Sequence, residues 1–184
     1  MIKLVILAEE PSMKRLLDGL LPRVLPAGVA FQVVPHEGKH DLEKSIPRKM
    51  RAWKEPDVHF IILRDQDSGD CRVVKERLRT LCQGHGRSAW TVRVVCRELE
   101  SWVVGDPQAL DAAFGSRAAD SRSRRMRESP DDLIKPIDVI REHVPLYQKV
   151  TGAEAVGRHL DPDRNRSTSF QVFLRTVRAL TSSA

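Results

Sequence analysis

The chain of 184 residues has few of the features that mark secreted, disulfide-stabilised or membrane-spanning proteins. Its three cysteines, Cys71, Cys82 and Cys96, form no Cys-x-x-Cys pair, and their odd number argues against a disulfide framework. No apolar run approaches the roughly eighteen residues that cross a bilayer. The apolar N-terminal stretch MIKLVILAEE ends in two acids without the small-residue cleavage site of a signal peptide. We therefore expect a cytoplasmic protein that makes no membrane contact.

Several motifs of nucleotide and ester chemistry are also missing. The sequence contains no Walker lysine motif, no Gly-x-Ser-x-Gly elbow and no Gly-x-Gly-x-x-Gly turn. Nucleotide hydrolysis through a phosphate-binding loop and serine esterase chemistry are therefore not supported.

Positive charge is modest overall but concentrated in one stretch. The formal net charge is +6, and five arginines lie within residues 117–127, RAADSRSRRMR, which we call the basic segment. Clustered arginines in a segment of low hydrophobicity can contact nucleic-acid phosphates, although such a run is also typical of a solvated loop. We take Arg122, Arg124 and Arg125 as candidate phosphate contacts.

Hydrophobic periodicity predicts an α/β fold. Four short apolar runs, at residues 2–8, 31–35, 58–63 and 90–96, are typical of buried strands. A helical pattern lies between each strand and the next. This alternation predicts a mostly parallel four-stranded sheet flanked by helices. After about residue 105 only helical patterns remain. We expect an α/β core over residues 1–104 and a helical appendage over 105–184, packed together as one compact domain.

Local signals predict where several helices begin and end. Pro11 should open the first helix and Pro22 should end it. Asp41 should cap the second helix, and Pro47 should kink or divide it. For the last helix, the segment TSFQ at residues 168–171 has the spacing of a capping box.

Acidic side chains follow three of the four predicted strands. Ligands of open parallel sheets bind at the carboxyl ends of the strands, so acids placed there should converge. Crowded carboxylates repel one another unless a cation neutralises them, and Mg²⁺ or Mn²⁺ prefers oxygen ligands. We therefore expect a Mg²⁺ or Mn²⁺ site at this edge of the sheet. The acids are Glu9 and Glu10 after the first strand, Asp65 and Asp67 after the third, and Glu98 and Glu100 after the fourth.

The blocks LAEEPSMKRLL, GKHDLEKSI, IILRDQDSGDC, VVCRELESWVVGDPQAL and NRSTSFQVFL resemble a Toprim-like family of bacterial proteins known as a domain of unknown function. The resemblance covers about residues 3–180, and RELESW is its most specific block. Toprim domains occur in topoisomerases, primases and overcoming-lysogenization-defect nucleases. The resemblance implies a Toprim-like, Rossmann-like sheet with a C-terminal helical appendage. It also implies metal-dependent phosphodiester chemistry on DNA or RNA, and an ATPase partner encoded nearby in an anti-phage or DNA-repair module.

The resemblance also implies roles for particular residues. Glu9, Asp65 and Asp67 would hold Mg²⁺, with Glu98 or Glu100 supplying a further catalytic acid, and we favour Glu100 as the additional metal ligand. One departure is visible, because the family commonly has Glu-Gly where this chain has Glu9 followed by Glu10. A bulkier residue there could restrict the approach of a phosphate.

If the metal-dependent interpretation holds, two-metal phosphodiester hydrolysis is the expected chemistry. Lys39 and Arg64 are then candidates to offset phosphate charge, although Lys39 also fits a loop charge and Arg64 also fits an ion pair with a nearby aspartate.

Three other functions are compatible with parts of the sequence. HEGKH at residues 36–40 matches the His-Glu-x-x-His zinc pattern, but Pro35 and Gly38 predict a loop rather than the required helix. A phosphoacceptor receiver domain needs a serine or threonine after the fourth strand and a lysine after a fifth, and neither is found. A non-catalytic Toprim-like subunit that binds or regulates an ATPase is the main alternative to a nuclease.

Overall fold

The computed structural model describes residues 2–84 and 89–182 and contains a four-stranded, wholly parallel sheet. The strands lie in the order β2-β1-β3-β4, so β1 and β3 are the inner pair. The strands are β1 Lys3–Ala8, β2 Ala30–Pro35, β3 Val58–Asp65 and β4 Trp90–Val95. The predicted mostly parallel sheet is therefore confirmed, with boundaries within two residues of the apolar runs.

The register of the sheet aligns the ends of the strands that carry acids. Ala8 of β1 pairs with Leu63 of β3, and Asp65 of β3 pairs with Val95 of β4. The ends of β1, β3 and β4, each followed by acidic residues, therefore lie at the same edge of the sheet, where parallel sheets bind their ligands.

Helices cover both faces of the sheet. The helices are α1 Pro11–Val24, α2 Lys39–Ala52, α3 Cys71–Cys82, α4 Glu100–Val104, α5 Pro107–Phe114, α6 Arg124–Arg127, α7 Pro136–Arg141, α8 Lys149–Gly157 and α9 Thr168–Thr181, with a 3₁₀ turn at Pro130–Asp132. Within the described chain, no helix is both long and apolar enough to span a membrane.

Alternate residues of each strand face two separate hydrophobic clusters. Ile61 and Leu63 of β3 pack with α1 and the helices that follow residue 100, on what we call the appendage face. Phe60 and Ile62 pack with α2 and α3, on the α2–α3 face. By the same alternation Asp65 lies on the appendage face and Arg64 on the α2–α3 face.

Two proline predictions were wrong. Helix α1 continues through Pro22 to Val24, and α2 continues through Pro47 to Ala52 as one helix. Each helix has buried leucine or isoleucine positions packed against the sheet, and the burial of this stripe outweighs the one hydrogen bond that proline removes.

The predicted caps of α2 and α9 also need correction. Helix α2 begins at Lys39, and Asp41 accepts a hydrogen bond from the Glu37 backbone N–H at 3.1 Å instead of occupying the cap position. Helix α9 is capped by Ser167, whose Oγ accepts from the Phe170 N–H at 3.2 Å. Gln171 instead donates to the Pro162 and Asn165 carbonyls.

Trp102 anchors the C-terminal helices. Its side chain is fully buried, its ring contacts Phe170 and Phe173 at centroid distances of 5.2 Å, and its Nε1 donates to Ser169 Oγ at 2.9 Å. Trp102 therefore packs the C-terminal helices onto the sheet, and its buried ring is not placed to stack on a base.

Helices α1 and α8 approach closely because glycine lies at their crossing. A Cβ added at Gly157 would lie 2.5 Å from the Leu16 carbonyl oxygen, which is backbone and cannot rotate away. We expect Gly157→Ala to lower the free energy of unfolding by about 2 kcal/mol, measured by urea denaturation. Thr151→Ala, at an exposed position of the same helix, should change it by less than about 0.5 kcal/mol. A Gly157→Ala protein as stable as the wild type would contradict this packing.

Candidate active site

The ends of β1, β3 and β4 are tied together by hydrogen bonds that bring their acids to one place. The Glu9 Oε2 atom accepts a hydrogen bond from the Asp65 backbone N–H at 2.9 Å. The Asp67 N–H donates to the Arg97 carbonyl at 2.9 Å, which joins the loop after β3 to the loop after β4. The sequence prediction placed Glu9 near Asp65 and Asp67, and the structure brings these residues together. We call Glu9, Asp65, Asp67, Glu98 and Glu100 the acid rim.

Glu9 is buried and has a strongly shifted acidity. Burial raises the pKa of its carboxyl from 4.5 to about 7, and the Asp67 and Glu10 carboxylates add to the rise. The Asp65 N–H and the Arg64 guanidinium act in the opposite direction. Glu9 therefore exchanges a proton near neutral pH.

Asp65 is an almost completely buried acid of the rim. It is 2% exposed, and its Oδ1 atom has no hydrogen-bond partner among residues 2–84 and 89–182. Burial raises its pKa well above the ordinary value, and the Glu9, Glu10 and Glu100 carboxylates raise it further. A buried carboxylate oxygen without a partner is costly, so native proteins retain one mainly where it serves a ligand.

Glu100 is the second acid with a free buried oxygen. It begins α4 and is 1% exposed, and its Oε2 atom finds no hydrogen-bond donor in the described part of the chain. Burial raises its pKa, while Lys149 lowers it. Of the pair left open by the sequence, Glu100 is therefore the one enclosed in the protein, and Glu98 is the more exposed.

Tyr147 contributes a third buried polar atom to this region. Its hydroxyl has no partner among the described residues, and burial together with the Glu100 carboxylate raises its pKa. Gly152 makes room for the ring, because a Cβ there would lie 2.3 Å from Tyr147 Cε2. No sequence motif singles out Tyr147, which lies just before α8 and is close enough to Glu100 for that carboxylate to raise its pKa.

Lys149 is a functional candidate that sequence reasoning missed. Its Nζ atom lies 3.1 Å from Glu98 Oε2 and 3.6 Å from Glu100 Oε2. Burial opposes its charge, but the Glu100, Glu10 and Glu98 carboxylates together raise its pKa above the ordinary value. The appendage thus supplies an internal cation, Lys149, to the acid rim. The only sequence signal for Lys149 is its position within the predicted helical region, at the start of α8.

Asp67 lies at the exposed side of the rim. Its backbone has a positive φ of 57°, a conformation that non-glycine residues seldom adopt outside tight turns. Its carboxylate is 3.4 Å from Lys39 Nζ, and its side chain is 39% exposed. The turn therefore presents Asp67 toward solvent, next to one of the cations predicted to contact phosphate.

Arg64 makes a different ion pair from the one considered for it. Its Nη1 atom donates to Glu43 Oε1 at 2.8 Å on the α2–α3 face, and its Nε atom lies 3.8 Å from Glu9 Oε2. Arg77 binds the other oxygen of Glu43 at 2.6 Å. Glu43, which no motif singled out, thus holds Arg64 beside Glu9.

The rim is not a ready-made metal site in this arrangement. No group of three His, Cys, Asp or Glu side chains in residues 2–84 and 89–182 is placed to hold an ion. The donor chemistry nevertheless fits a hard divalent cation, because Asp65 Oδ1 and Glu100 Oε2 are buried carboxylate oxygens without hydrogen-bond donors. Ligation would require these side chains to move and the Lys149 ammonium to be displaced.

A pocket opens beside the acid rim and continues toward the basic segment. It has a volume of about 710 Å³, and Glu98, Lys149 and Arg141 contribute to its lining. A second pocket of about 350 Å³ is lined by Arg125, and both pockets share Lys135 and Asp138. The two pockets therefore adjoin.

The arginines of the basic segment are partly paired with acids. Arg124 binds Glu128 at 2.9 Å, Arg125 binds Glu142 at 2.5 Å, and Arg127 donates to the Arg122 carbonyl. These pairs reduce the positive field of the segment. Phosphate contact by Arg122, Arg124 and Arg125 stays a prediction.

The HEGKH zinc hypothesis does not survive the structure. His36 ends up buried, with Nδ1 2.8 Å from the Ala8 carbonyl and Nε2 2.5 Å from Ser45 Oγ. Gly38 precedes α2, so His36 and His40 do not lie one turn apart on a helix. His85, another isolated histidine of the sequence, lies outside the described residues.

Comparison with solved structures defines the fold class. The chain is similar to the C-terminal region of the Burkholderia pseudomallei OLD protein, with a TM-score of 0.51 and 16% identity over 96% of this chain and 98% of that one. It is also similar to the C-terminal region of the Xanthomonas campestris pv. campestris OLD protein, with a TM-score of 0.51 and 15% identity over 98% and 96% of the two chains. The predicted Toprim-like fold, related to that of OLD proteins, is confirmed.

Sequence comparison identifies the family. Residues 8–178 match the family described as Domain of unknown function (DUF4276), and the chain belongs to it. No curated protein matches the chain in sequence.

Proposed function

We propose that this protein is a Mg²⁺- or Mn²⁺-dependent nuclease that hydrolyses phosphodiester bonds of DNA or RNA. One observation carries the proposal: three strand ends bring acids together at one edge, and two of these acids have buried oxygens without hydrogen-bond donors. Lys149 offsets the charge of Glu98 and Glu100, but no cation of the described chain lies within ion-pair distance of Asp65, and a buried carboxylate without a counter-charge destabilises the fold. The similarity to OLD proteins supports the fold on which this chemistry would operate.

The proposal assigns Glu9, Asp65, Asp67 and Glu100 as metal ligands. A divalent ion, when bound, supplies charge stabilisation to the phosphodiester oxygens and acidifies the attacking water. Glu9 has a pKa of about 7 in the metal-free protein, so it would release its proton near neutral pH when it binds the ion. Glu98 lies on the exposed side of the rim, where it orients Lys149.

Cations around the rim would bind the substrate. Lys149 neutralises Glu98 and Glu100 in the metal-free state and would be free to contact phosphate oxygens once a metal takes its place. Lys39 lies at the exposed side beside Asp67. Glu10 occupies the position where the family commonly has glycine, but its carboxylate accepts a hydrogen bond from Ser12 Oγ at 3.0 Å, which turns it toward α1.

The biological setting belongs to the same proposal. An ATPase encoded nearby would be the partner in an anti-phage or DNA-repair module, and the protein would act in the cytoplasm. The support is the family resemblance together with the fold shared with the C-terminal regions of OLD proteins.

A non-catalytic subunit that binds or regulates an ATPase is the second candidate. The Lys149 ammonium favours it, because it already neutralises Glu98 and Glu100, and no three acids in the described chain are placed to hold an ion. Under this alternative the rim would be a charge-balanced structural cluster.

Cleavage assays with matched variants separate the two candidates. Plasmid DNA and transfer RNA are incubated with the protein and Mn²⁺ or Mg²⁺, alone and with the neighbouring ATPase. Asp65→Ala and Glu9→Ala should lose at least about 100-fold of the activity, since even the outer partners of metal ligands contribute about 10- to 100-fold. Asp70→Asn is the control, because Asp70 lies in the same loop and caps α3, and asparagine keeps the cap. Absence of cleavage with the ATPase present, or equal activity of all variants, would overturn the nuclease proposal.

A further inference from the structure

A third pocket lies on the α2–α3 face, and it shares no lining residue with the two pockets beside the acid rim. It has a volume of about 280 Å³. The residues that line it are Lys39, His40, Glu43, Arg64, Val73, Val74 and Arg77. Three of these side chains are cations and one is an acid, so the lining is positive overall. The acid, Glu43, is shared by Arg64 and Arg77 through its two oxygens.

Arg64 provides a buried donor at this pocket. The residue is 7% exposed, and its Nε atom has no hydrogen-bond partner among the described residues, the Glu9 carboxylate being 3.8 Å away. An unsatisfied guanidinium N–H in a buried setting is costly unless an acceptor completes it. Arg64 therefore lines the pocket as a buried cation that is held by Glu43 and Glu9 and, within the described chain, keeps one N–H without a hydrogen bond.

The N-terminus of α2 opens at the same pocket. Helix α2 starts at Lys39 after Gly38, whose φ of 98° suits glycine, and no side chain caps it within the described chain. The N–H groups of the first helical turn, at Lys39, His40 and Asp41, are those that an α-helix leaves without intrahelical acceptors. Such a helix end attracts anions, and here its residues Lys39 and His40 line the same pocket as the Arg64 and Arg77 guanidinium groups.

From these contacts we infer that the α2–α3 pocket binds a phosphate group of a nucleic-acid strand. This inference rests on the proposed function and deepens it by assigning where a phosphate next to the scissile one is held. Lys39 lies between the two sites. It lines the pocket, and its Nζ atom is 3.4 Å from the Asp67 carboxylate of the acid rim. A strand whose scissile phosphate lies at the rim would then place a neighbouring phosphate against Arg64, Arg77 and the first turn of α2.

Arg77 allows the inference to be tested without disturbing the rim. It is 64% exposed, and its removal leaves Glu43 bound to Arg64. Arg79 is a matched control two residues further along α3. It is also half-exposed and ion-paired, with Glu76 at 3.6 Å, but it does not line the pocket.

The experiment measures binding with metal chelated, so that cleavage plays no part. A fluorescein-labelled single-stranded DNA oligonucleotide is titrated by anisotropy against the wild type, Arg77→Ala, Arg77→Lys and Arg79→Ala at several salt concentrations. Arg77→Ala should weaken binding about tenfold and reduce the salt slope by about 1, whereas Arg79→Ala should stay within about twofold of the wild type. Arg77→Lys should recover most of the loss, because lysine still neutralises a phosphate.

Equal effects of Arg77→Ala and Arg79→Ala, or no binding by the wild-type protein, would overturn the inference. The proposed nuclease function fails by a different result, namely the absence of metal-dependent cleavage. Selective loss of binding in Arg77→Ala without any cleavage would therefore support the phosphate pocket and refute the nuclease.

Discussion

Replacing Asp65 by asparagine should stabilise the metal-free protein while it abolishes metal-dependent cleavage. The carboxylate is buried, its Oδ1 atom has no partner in the described chain, and it is repelled by Glu9, Glu10 and Glu100. Asparagine has nearly the same shape and removes that repulsion. We expect the free energy of unfolding at neutral pH to rise by about 1 kcal/mol and cleavage to fall by at least about 100-fold.

Asp67→Asn is the matched comparison for this prediction. Asp67 belongs to the same loop but its side chain is 39% exposed and contacts Lys39. Its substitution should also reduce cleavage, yet change the free energy of unfolding by less than about 0.5 kcal/mol. Urea denaturation of both variants in a chelating buffer provides the measurement. A destabilised Asp65→Asn protein would show that the Asp65 carboxylate makes favourable contacts within the fold and is not held there for a cation.

The contribution of Glu9 to the stability of the metal-free protein should fall as the pH rises from about 4.5 to about 7. The folded-state pKa of Glu9 is raised from 4.5 to about 7, so the folded protein binds this proton more tightly than the unfolded chain. The contribution is fully present below pH 4.5 and is lost as the pH rises through 7. At about 1.4 kcal/mol per pH unit it amounts to at most about 3.5 kcal/mol. Burial shifts Asp65 and Glu100 in the same direction.

A bound divalent ion should reverse this dependence. The ion binds the deprotonated carboxylates, so its affinity should increase about tenfold per pH unit below about pH 7 for each proton displaced. Denaturation curves with and without Mg²⁺ across this pH range provide the measurement, and Glu9→Gln should flatten the metal-free curve. A Glu9→Gln protein whose metal-free stability has the same pH dependence as that of the wild type would contradict the assigned acidity of Glu9.

The strands and the acid rim were predictable because their signals are local. A continuous apolar run such as residues 58–63 identifies a buried strand, and the carboxyl-end rule then places the acids that follow it. The Asp70 cap of α3 is a local signal of the same kind, since a cap depends on a few neighbouring residues.

The remaining parts of the site depend on tertiary packing. Lys149 and Tyr147 reach Glu100 from about fifty residues further along the chain, and no spacing rule links them to RELESW. The sequence around Glu43 is that of an ordinary surface helix, and only the fold brings Glu43 into contact with Arg64. Pro22 and Pro47 misled the helix prediction, because the packing of α1 and α2 against the sheet outweighs a local breaker.

Titration with Mn²⁺, followed by electron paramagnetic resonance of the free ion, tests the central claim most directly. The wild-type protein and Asp70→Asn should bind Mn²⁺ with the same affinity at slightly alkaline pH, and Asp65→Asn should bind it at least about 100-fold more weakly. Equal Mn²⁺ binding by Asp65→Asn and the wild type, or no binding by any of the three proteins, would contradict the assignment of the acid rim as a metal site.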